Sequence, residues 1–239
     1  MTAIVISQPM YFPWPGMHEQ MRLADVYVGY SDVAFSKGSF TNRVQIKTAT
    51  GSQWLTLPLL DAHLGRNIDE IRTDERQNWR RKHRMTLEQA YARAPFKPDM
   101  LNLVDEVFDS CPGDSLCELT IKSMQVVHRY FGFEKPLRWQ SSRELGIGGS
   151  GSQRVFDIVR HLGGDHYITG HGARHYLDHQ LFDDGGISVD YLDYQKLPYP
   201  QLHGSFTPFV STLDLVANAG PEGAHLIISP TRPWREFLP

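Results

Sequence analysis

A short apolar run, Ala3 to Ser7 (AIVIS), passes directly into Gln8-Pro9 and then into a turn dense in aromatics and prolines, Tyr11-Phe12-Pro13-Trp14-Pro15-Gly16. β-branched residues bounded by turn residues read as a buried first strand. The Pro-Gly turn opens a helix over residues 16–24, and the alternating VYVGYSD that follows reads as a second strand. A strand, a helix and a strand in this order favour a parallel pair with a right-handed crossover. That start directs the chain to the α/β class, with a mostly parallel sheet and flanking helices.

Further along, VQIKTA and QWLTLPL are β-rich with Gly51-Ser52 between them, the pattern of a hairpin. DERQNWRRKHRMTLEQAYARA is helical up to Pro95, and DMLNLVDEVFDS and SLCELTIKSMQVVHRYFGF carry apolar residues at helical spacing, the second stopped by Gly132. These helices form an insertion over residues 75–135. PLRWQSSREL reads as a strand and its exit. Gly148 to Ser152 are all glycine or serine and read as a linker or a flexible loop. The α/β rhythm then resumes: a helix from Ser152 as N-cap to Gly163-Gly164, a strand DHYITG, a helix ARHYLDHQLFDDGG and a strand ISVDYLDY. The expected organisation is one α/β domain over residues 1–239, carrying the helical insertion.

Composition narrows the function classes. Lys and Arg number 24 against 27 Asp and Glu, so no basic excess points to long nucleic acid. The two cysteines, Cys111 and Cys117, fit no common zinc spacing and make no disulfide framework. No 18-residue apolar run is present, so no membrane span is expected. The N-terminus shows neither the basic region nor the long apolar stretch of a secretory signal, and a soluble, cytoplasmic protein is the expectation. Oligomeric state and cofactor are not legible.

Four stretches carry candidate chemistry. In the opening loop, Gln8 follows the first strand directly, at the edge where open α/β sheets take ligands. The N–H groups at the start of the next helix would favour a phosphate there, and the prolines, with Tyr11 and Trp14, would hold the loop in a set shape. The rival reading is a stiff turn with its aromatics in the core. In FSKGSFTNRVQIK, Lys37, Arg43 and Lys47 stand within eleven residues with Asn42 beside Arg43. Ammonium and guanidinium groups match phosphate or carboxylate, and Lys37 and Arg43 could close over the pocket of Gln8; a solvated basic loop is the rival. In WRRKHRMTLEQAY, His83 and Lys82 could meet an anionic substrate, although Trp79, His83 and Leu87 share a helical face and read equally as packing.

The fourth stretch is HLGGDHYITGHGARHYLDH, with five of the eleven histidines. His171, His175 and His179 are spaced by four, but the glycines around His171 place it before the helix, and no zinc-protease pattern accompanies the pair that remains. No metal site is assigned. Thr169, Gly170, Gly172 and Tyr176 instead suggest a turn that lets backbone approach an anion or a nucleotide. No P-loop, dinucleotide fingerprint or nucleophile elbow is present.

Taken together, QPMYFPWPG, ADVYVGYSDVAFSKGSFTNRVQIK, QWLTLPL and YARAPF resemble the WbqC-like family, as do LGGDHYITGHGARHYLDHQLF, GISVDYLDY and FTPFVSTLDLVANAGPEG. The likeness runs from Ile4 to about Gly223. Gln8, Pro9, Trp14, Gly16, Asp25, Lys37, Asn42, Arg43, Lys47, Trp54, Thr56 and Pro58 match its first motif. Thr169, Gly170, Gly172 and Tyr176 match the later one. Ser31 and Ala34 depart from it, where the resemblance leads us to expect Asp and Gln. The family is associated with bacterial surface polysaccharide and O-antigen gene clusters, and its members are described as glycosyl or other group transferases. The strand, turn, helix, strand start and the late TG-x-G-x-R turn are also similar to nucleotidyltransferase-like α/β folds, by analogy of fold.

The resemblance implies a group transferase that uses a small nucleotide-linked or carrier-linked donor. In that reading Lys37 and Arg43 stabilise donor phosphate charge, Gln8 and Asn42 orient substrate, and His83 or His171 serves as general base. Lys47, Lys82, Tyr11, Trp14, Thr169, Gly170, Gly172 and Tyr176 complete the expected binding set. A non-catalytic nucleotide-sugar or glycan binder, with its aromatics stacked on sugar faces, is the alternative. A third reading is a structural α/β protein whose aromatics are all core.

Overall fold

The computed structural model describes residues 1–60, 65–133 and 135–238. Strand β1 (Ala3–Ser7) leads through the opening loop to α1 (Pro15–Leu23) and β2 (Val26–Gly29). A hairpin of β3 (Arg43–Thr48) and β4 (Gly51–Thr56) follows, then a two-residue ladder of β5 (Leu59–Leu60) with β6 (Arg72–Thr73). Helices α2 (Trp79–Ala90), α3 (Lys97–Ser110) and α4 (Leu116–Tyr130) come next. The chain then returns to the sheet with β7 (Arg138–Ser141), α5 (Gly151–His161), β8 (His166–Thr169), α6 (His179–Asp184) and β9 (Ser188–Leu192). It closes with α7 (Thr212–Ala219), α8 (Gly223–Ile227), β10 (Thr231–Pro233) and α9 (Trp234–Phe237).

Six strands form the main sheet in the order β10-β9-β8-β1-β2-β7, parallel except for β10 at one edge. β1 lies in the middle because it is apolar on both sides, as a strand covered on both faces must be. Its alternate residues feed different cores. Ile4 and Ile6 pack with Val155, Phe156 and Val159 of α5, while Val5 packs with Met17 and Met21 of α1 and with Met124 of α4. The helix that links β1 to β2 therefore covers one face, and the helix that precedes β8 covers the other. The strand order reverses between β1 and β8, and such a reversal opens a crevice at the carboxyl ends of the two strands.

Close approach at the exit of α5 fixes that pairing. Gly164 sits so near β1 that a Cβ there would stand 2.4 Å from Ile4 Cγ1. A third and larger core joins the hairpin (Val44, Ile46, Leu55) to α2, α3, α4 and α7, and takes in Tyr11 and Phe12 of the opening loop. Helices α2 to α4 occupy the stretch expected as a helical insertion; Glu134, at its end, lies outside the described residues, as does Pro239 at the end of the chain. No described helix is long and apolar enough to cross a membrane.

Three local expectations are corrected. The helix after the Gly/Ser run starts at Gly151 with Ser150 as its N-cap. Ser152, the expected cap, instead donates its hydroxyl to the Tyr176 carbonyl and accepts from the Asp178 N–H, tying α5 to the segment before α6. The expected helix over ARHYLDHQLFDD is broken into a 3₁₀ turn, His171–His175, and the short α6 capped by Asp178. The long helix around the basic run begins only at Trp79, because Asn78 adopts a left-handed conformation with φ +50.

Candidate functional site

A cavity of about 1090 Å³ opens at the carboxyl ends of the central strands. Its walls come from the residues that follow β1 (Gln8, Met10, Trp14), β2 (Tyr30, Asp32, Ala34), β8 (Thr169 to Ala173) and β9 (Asp193, Tyr194, Lys196), with the start of α5 (Gly149 to Gly151) on one side. The hairpin contributes Val44 and Gln45, and the segment before α7 contributes Pro208 to Val210. The Gly148–Ser152 run, read from sequence as a linker or loop, is thus partly cavity wall.

The opening loop is held from both sides. Phe12, at φ +41, donates its N–H to Ser123 Oγ of α4 at 3.0 Å. Ser211 and Thr212, at the start of α7, donate their hydroxyls to the carbonyls of Phe12 and Pro13 at 2.8 and 2.6 Å. Tyr11 and Phe12 point into the core, which leaves Gln8, Met10 and Trp14 for the cavity. The Trp14 ring meets Tyr194 edge-on at 5.2 Å. The aromatics at the mouth remain open to solvent: Phe40 is 48% exposed, Tyr176 56% and Phe209 65%.

Charge inside the cavity is largely neutralised by the chain itself. Arg154 Nη2 lies 2.5 Å from Asp32 Oδ2, and Ser142 donates its hydroxyl to the same carboxylate. Burial works against the ionised Asp32, but these hydrogen bonds and the guanidinium outweigh it and hold the carboxyl below its ordinary range. The Arg154 guanidinium also lies over the Tyr30 ring at 4.8 Å. Asp193 pairs with Arg232 at 2.8 Å. Among the described lining residues, Lys196 is the cation without a carboxylate partner; its ammonium stands 5.4 Å from the centre of the Phe209 ring.

Of the residues singled out from the sequence, the structure brings Gln8, Trp14, Thr169, Gly170, His171, Gly172 and Tyr176 together around this cavity. It sets the others apart. His83 is buried against Tyr11, its Nδ1 3.1 Å from the phenol, and burial depresses its pKa to about 4. Tyr11 itself is core, with its hydroxyl pKa pushed up by the same burial. Asn42 donates its side-chain amide to the Leu57 carbonyl and closes the hairpin base. Arg43 lies 4.2 Å over the Trp54 ring and donates to the Gly38 carbonyl, and it does not line the cavity. Lys37 and Lys82 are solvent-exposed outside the lining. Lys47 is buried and donates its ammonium to Gln201 Oε1 at 2.9 Å and to the carbonyls of Gly204 and Ser205, which secures the segment leading to Phe209.

The histidines of the fourth stretch do not converge. His179 Nε2 is 2.8 Å from the Tyr191 hydroxyl, His175 accepts from Arg174, and His171 lies against Phe237. Among the described residues no group of three His, Cys, Asp or Glu could hold a metal ion. Sequence reading did not single out Gln20, Asp32, Gln45, Arg154, Tyr194 or Lys196 at this cavity. Asp32 and Arg154 are 122 positions apart and meet only through the β2 and α5 pairing of the fold. Gln20 had a visible signal, since it sits one turn after Met17 on the helix face that covers β1.

The model of the WbqC-like protein family matches residues 8–226. The uncharacterized protein Rv1507c of Mycobacterium tuberculosis (strain ATCC 25618 / H37Rv) is 29% identical over 224 residues, covering 93% of this chain and 96% of that protein. No solved structure matches the chain. The match extends from the opening loop into α8 and so includes every strand of the main sheet except β1, which it follows directly, and the antiparallel edge β10: the chain belongs to the WbqC-like protein family.

Proposed function

We propose that this protein is a group transferase, of glycosyl or related type, that acts in the cytoplasm on a small nucleotide-linked or carrier-linked donor in bacterial surface-polysaccharide biosynthesis of the O-antigen kind. The observation that carries the reading is the position of the cavity. It opens where the strand order reverses, at the carboxyl ends of β1 and β8, with amides on its walls and aromatics at its mouth. Trp14, Tyr194, Phe40 and Tyr176 offer faces for a sugar or a base, and Lys196 meets the donor's phosphate charge. In the transfer step an acceptor hydroxyl or amine attacks the donor carbon. The bond from that carbon to the carrier oxygen breaks, the carrier leaves as the anion, and the acceptor proton passes to His171, the imidazole that lines the cavity.

The experiment is a thermal-shift panel of nucleoside diphosphates, nucleotide-sugars and acyl carriers, with and without Mg²⁺, followed by a search for released carrier with each compound that binds. A rise in Tm with one class, lost in Trp14→Ala, and release of carrier in the presence of an acceptor support the reading. No rise with any class ends it. A second reading, a non-catalytic binder, is favoured by one observation: both described lining carboxylates, Asp32 and Asp193, are already in ion pairs, so neither is free to serve as a base. A binder raises its Tm by mass action and consumes nothing.

A further inference from the structure

We propose that the side-chain amide of Gln20 is the floor of a subsite for a neutral –CO–NH– group of the ligand. Gln20 is 4% exposed, and what remains open faces the cavity. Among the described residues its side-chain oxygen and nitrogen have no hydrogen-bond partner. Neither atom is among the fully enclosed unpartnered ones, so the amide keeps an opening to the cavity and is available to what enters it. The neighbouring turn is shaped around it: a Cβ on Gly170 would stand 3.1 Å from Gln20 Nε2. Gln8 and Gln45 also line the cavity, and among the described residues their side-chain amides make no hydrogen bond.

A carboxamide offers two donors and two acceptor lone pairs side by side and carries no charge. Its best complement is a group with one N–H and one C=O on adjacent atoms, which closes two hydrogen bonds at once. A phosphate supplies only acceptors and would leave the Gln20 oxygen bare. With Asp32 and Asp193 each paired to an arginine, the described lining residues include no free carboxylate that would favour a cationic amine. The group has two sources in a nucleotide-linked donor: the lactam edge of a base such as uracil, whose N–H and C=O lie on one side and close both bonds, or the acylamino group of an amino sugar, whose trans amide gives Gln20 one of them. This subsite is part of the donor cavity proposed above and rests on that reading.

The test uses the full chain and two pairs of probes that differ only in this group. Uridine diphosphate is compared with N3-methyluridine diphosphate, and N-acetylglucosamine 1-phosphate with glucose 1-phosphate, each by titration calorimetry. The expected result is a preference of about tenfold or more for the –CO–NH– member of one pair, since a site built around a hydrogen-bonding group rejects the analogue that lacks it. The uridine pair would assign the subsite to the base and the acetamido pair to the sugar. Gln20→Leu should erase the preference, and Gln20→Glu should weaken the favoured probe. Because the amide makes no hydrogen bond to the described residues, the Tm of unliganded Gln20→Leu should stay within about 2 °C of the parent. No preference in either pair, a preference that survives in Gln20→Leu, or a large fall in its Tm would overturn the subsite. If nucleotide-sugars bind without any such preference, the subsite fails while the donor cavity stands. If nothing in the wider panel binds, the donor cavity fails.

Discussion

The ring of Trp14 lies over Gly16 so closely that a Cβ on Gly16 would stand 1.8 Å from Trp14 Cζ3. Gly16 is the second residue of α1, where alanine would ordinarily be preferred by roughly 0.5–1 kcal/mol. Here the gain cannot be taken, because the indole occupies the space and forms a cavity wall with Tyr194. Gly16→Ala is therefore expected to displace the indole, lower the Tm and weaken nucleotide-sugar binding together. Trp14→Ala/Gly16→Ala should recover much of the lost Tm without recovering binding. Thermal denaturation with and without ligand checks both outcomes; a Gly16→Ala protein that binds as the parent does would show that the indole is not part of the site.

Asp32 and Arg154 form the ion pair inside the cavity, with side chains 15% and 6% exposed. Removing one partner leaves the other charge buried and unpaired, at a cost of about 3–5 kcal/mol. Arg154→Met and Asp32→Asn should each fall in that range in urea denaturation at neutral pH, and the double variant should be far less destabilised than their sum. Additive losses would mean that the two groups act separately.

Much of the fold could be read from the chain because its elements are locally consistent. AIVIS, VYVG and the pattern of Met17 with Met21 specify strands and a helix before any packing is considered. The cavity was readable only where its residues sit on those elements: Gln8 beyond β1, and Thr169, Gly170 and Gly172 beyond β8. The cations misled, since charge says nothing of direction. Arg43 is drawn to the Trp54 face and Lys47 to three acceptors on the 201–205 turn, and both interactions depend on tertiary approach. Lys196 gave no signal, because an isolated lysine in a loop has no pattern to betray it.

Acid should loosen this fold in a defined window. His18 is fully buried, and it stacks at 6.4 Å on His128; among the described residues both His18 ring nitrogens and His128 Nδ1 have no hydrogen-bond partner. Burial holds His18 well below the usual imidazole range, with the neighbouring His128 lowering it further, and burial depresses His128 and His83 to about 4. Depressed values mean that the unfolded chain binds more protons, so stability is complete above about pH 6.5 and declines as pH falls toward 4. Each histidine contributes a slope of at most about 1.4 kcal/mol per pH unit within that window. Urea midpoints between pH 7.5 and 4.5 should show the decline, and His18→Leu should flatten it. An equal slope in the variant would place the sensitivity elsewhere.

The last question is which cation meets the donor's charge. Lys37 and Arg43 follow β2 in sequence, but neither lines the cavity, whereas Lys196 does so with no carboxylate paired to it among the described residues. An ammonium at the mouth acts on a phosphate through solvent, where such contacts are screened by salt. Lys196→Ala is therefore expected to weaken nucleotide-sugar binding by several-fold at low salt, and by less as salt is raised. Lys37→Ala should leave binding unchanged at every salt concentration. Titrations at two ionic strengths separate the cases. If Lys37→Ala shows the salt-dependent loss and Lys196→Ala does not, the 36–40 turn must close over the mouth when the donor binds, and the charge-bearing end of the ligand lies on the hairpin side.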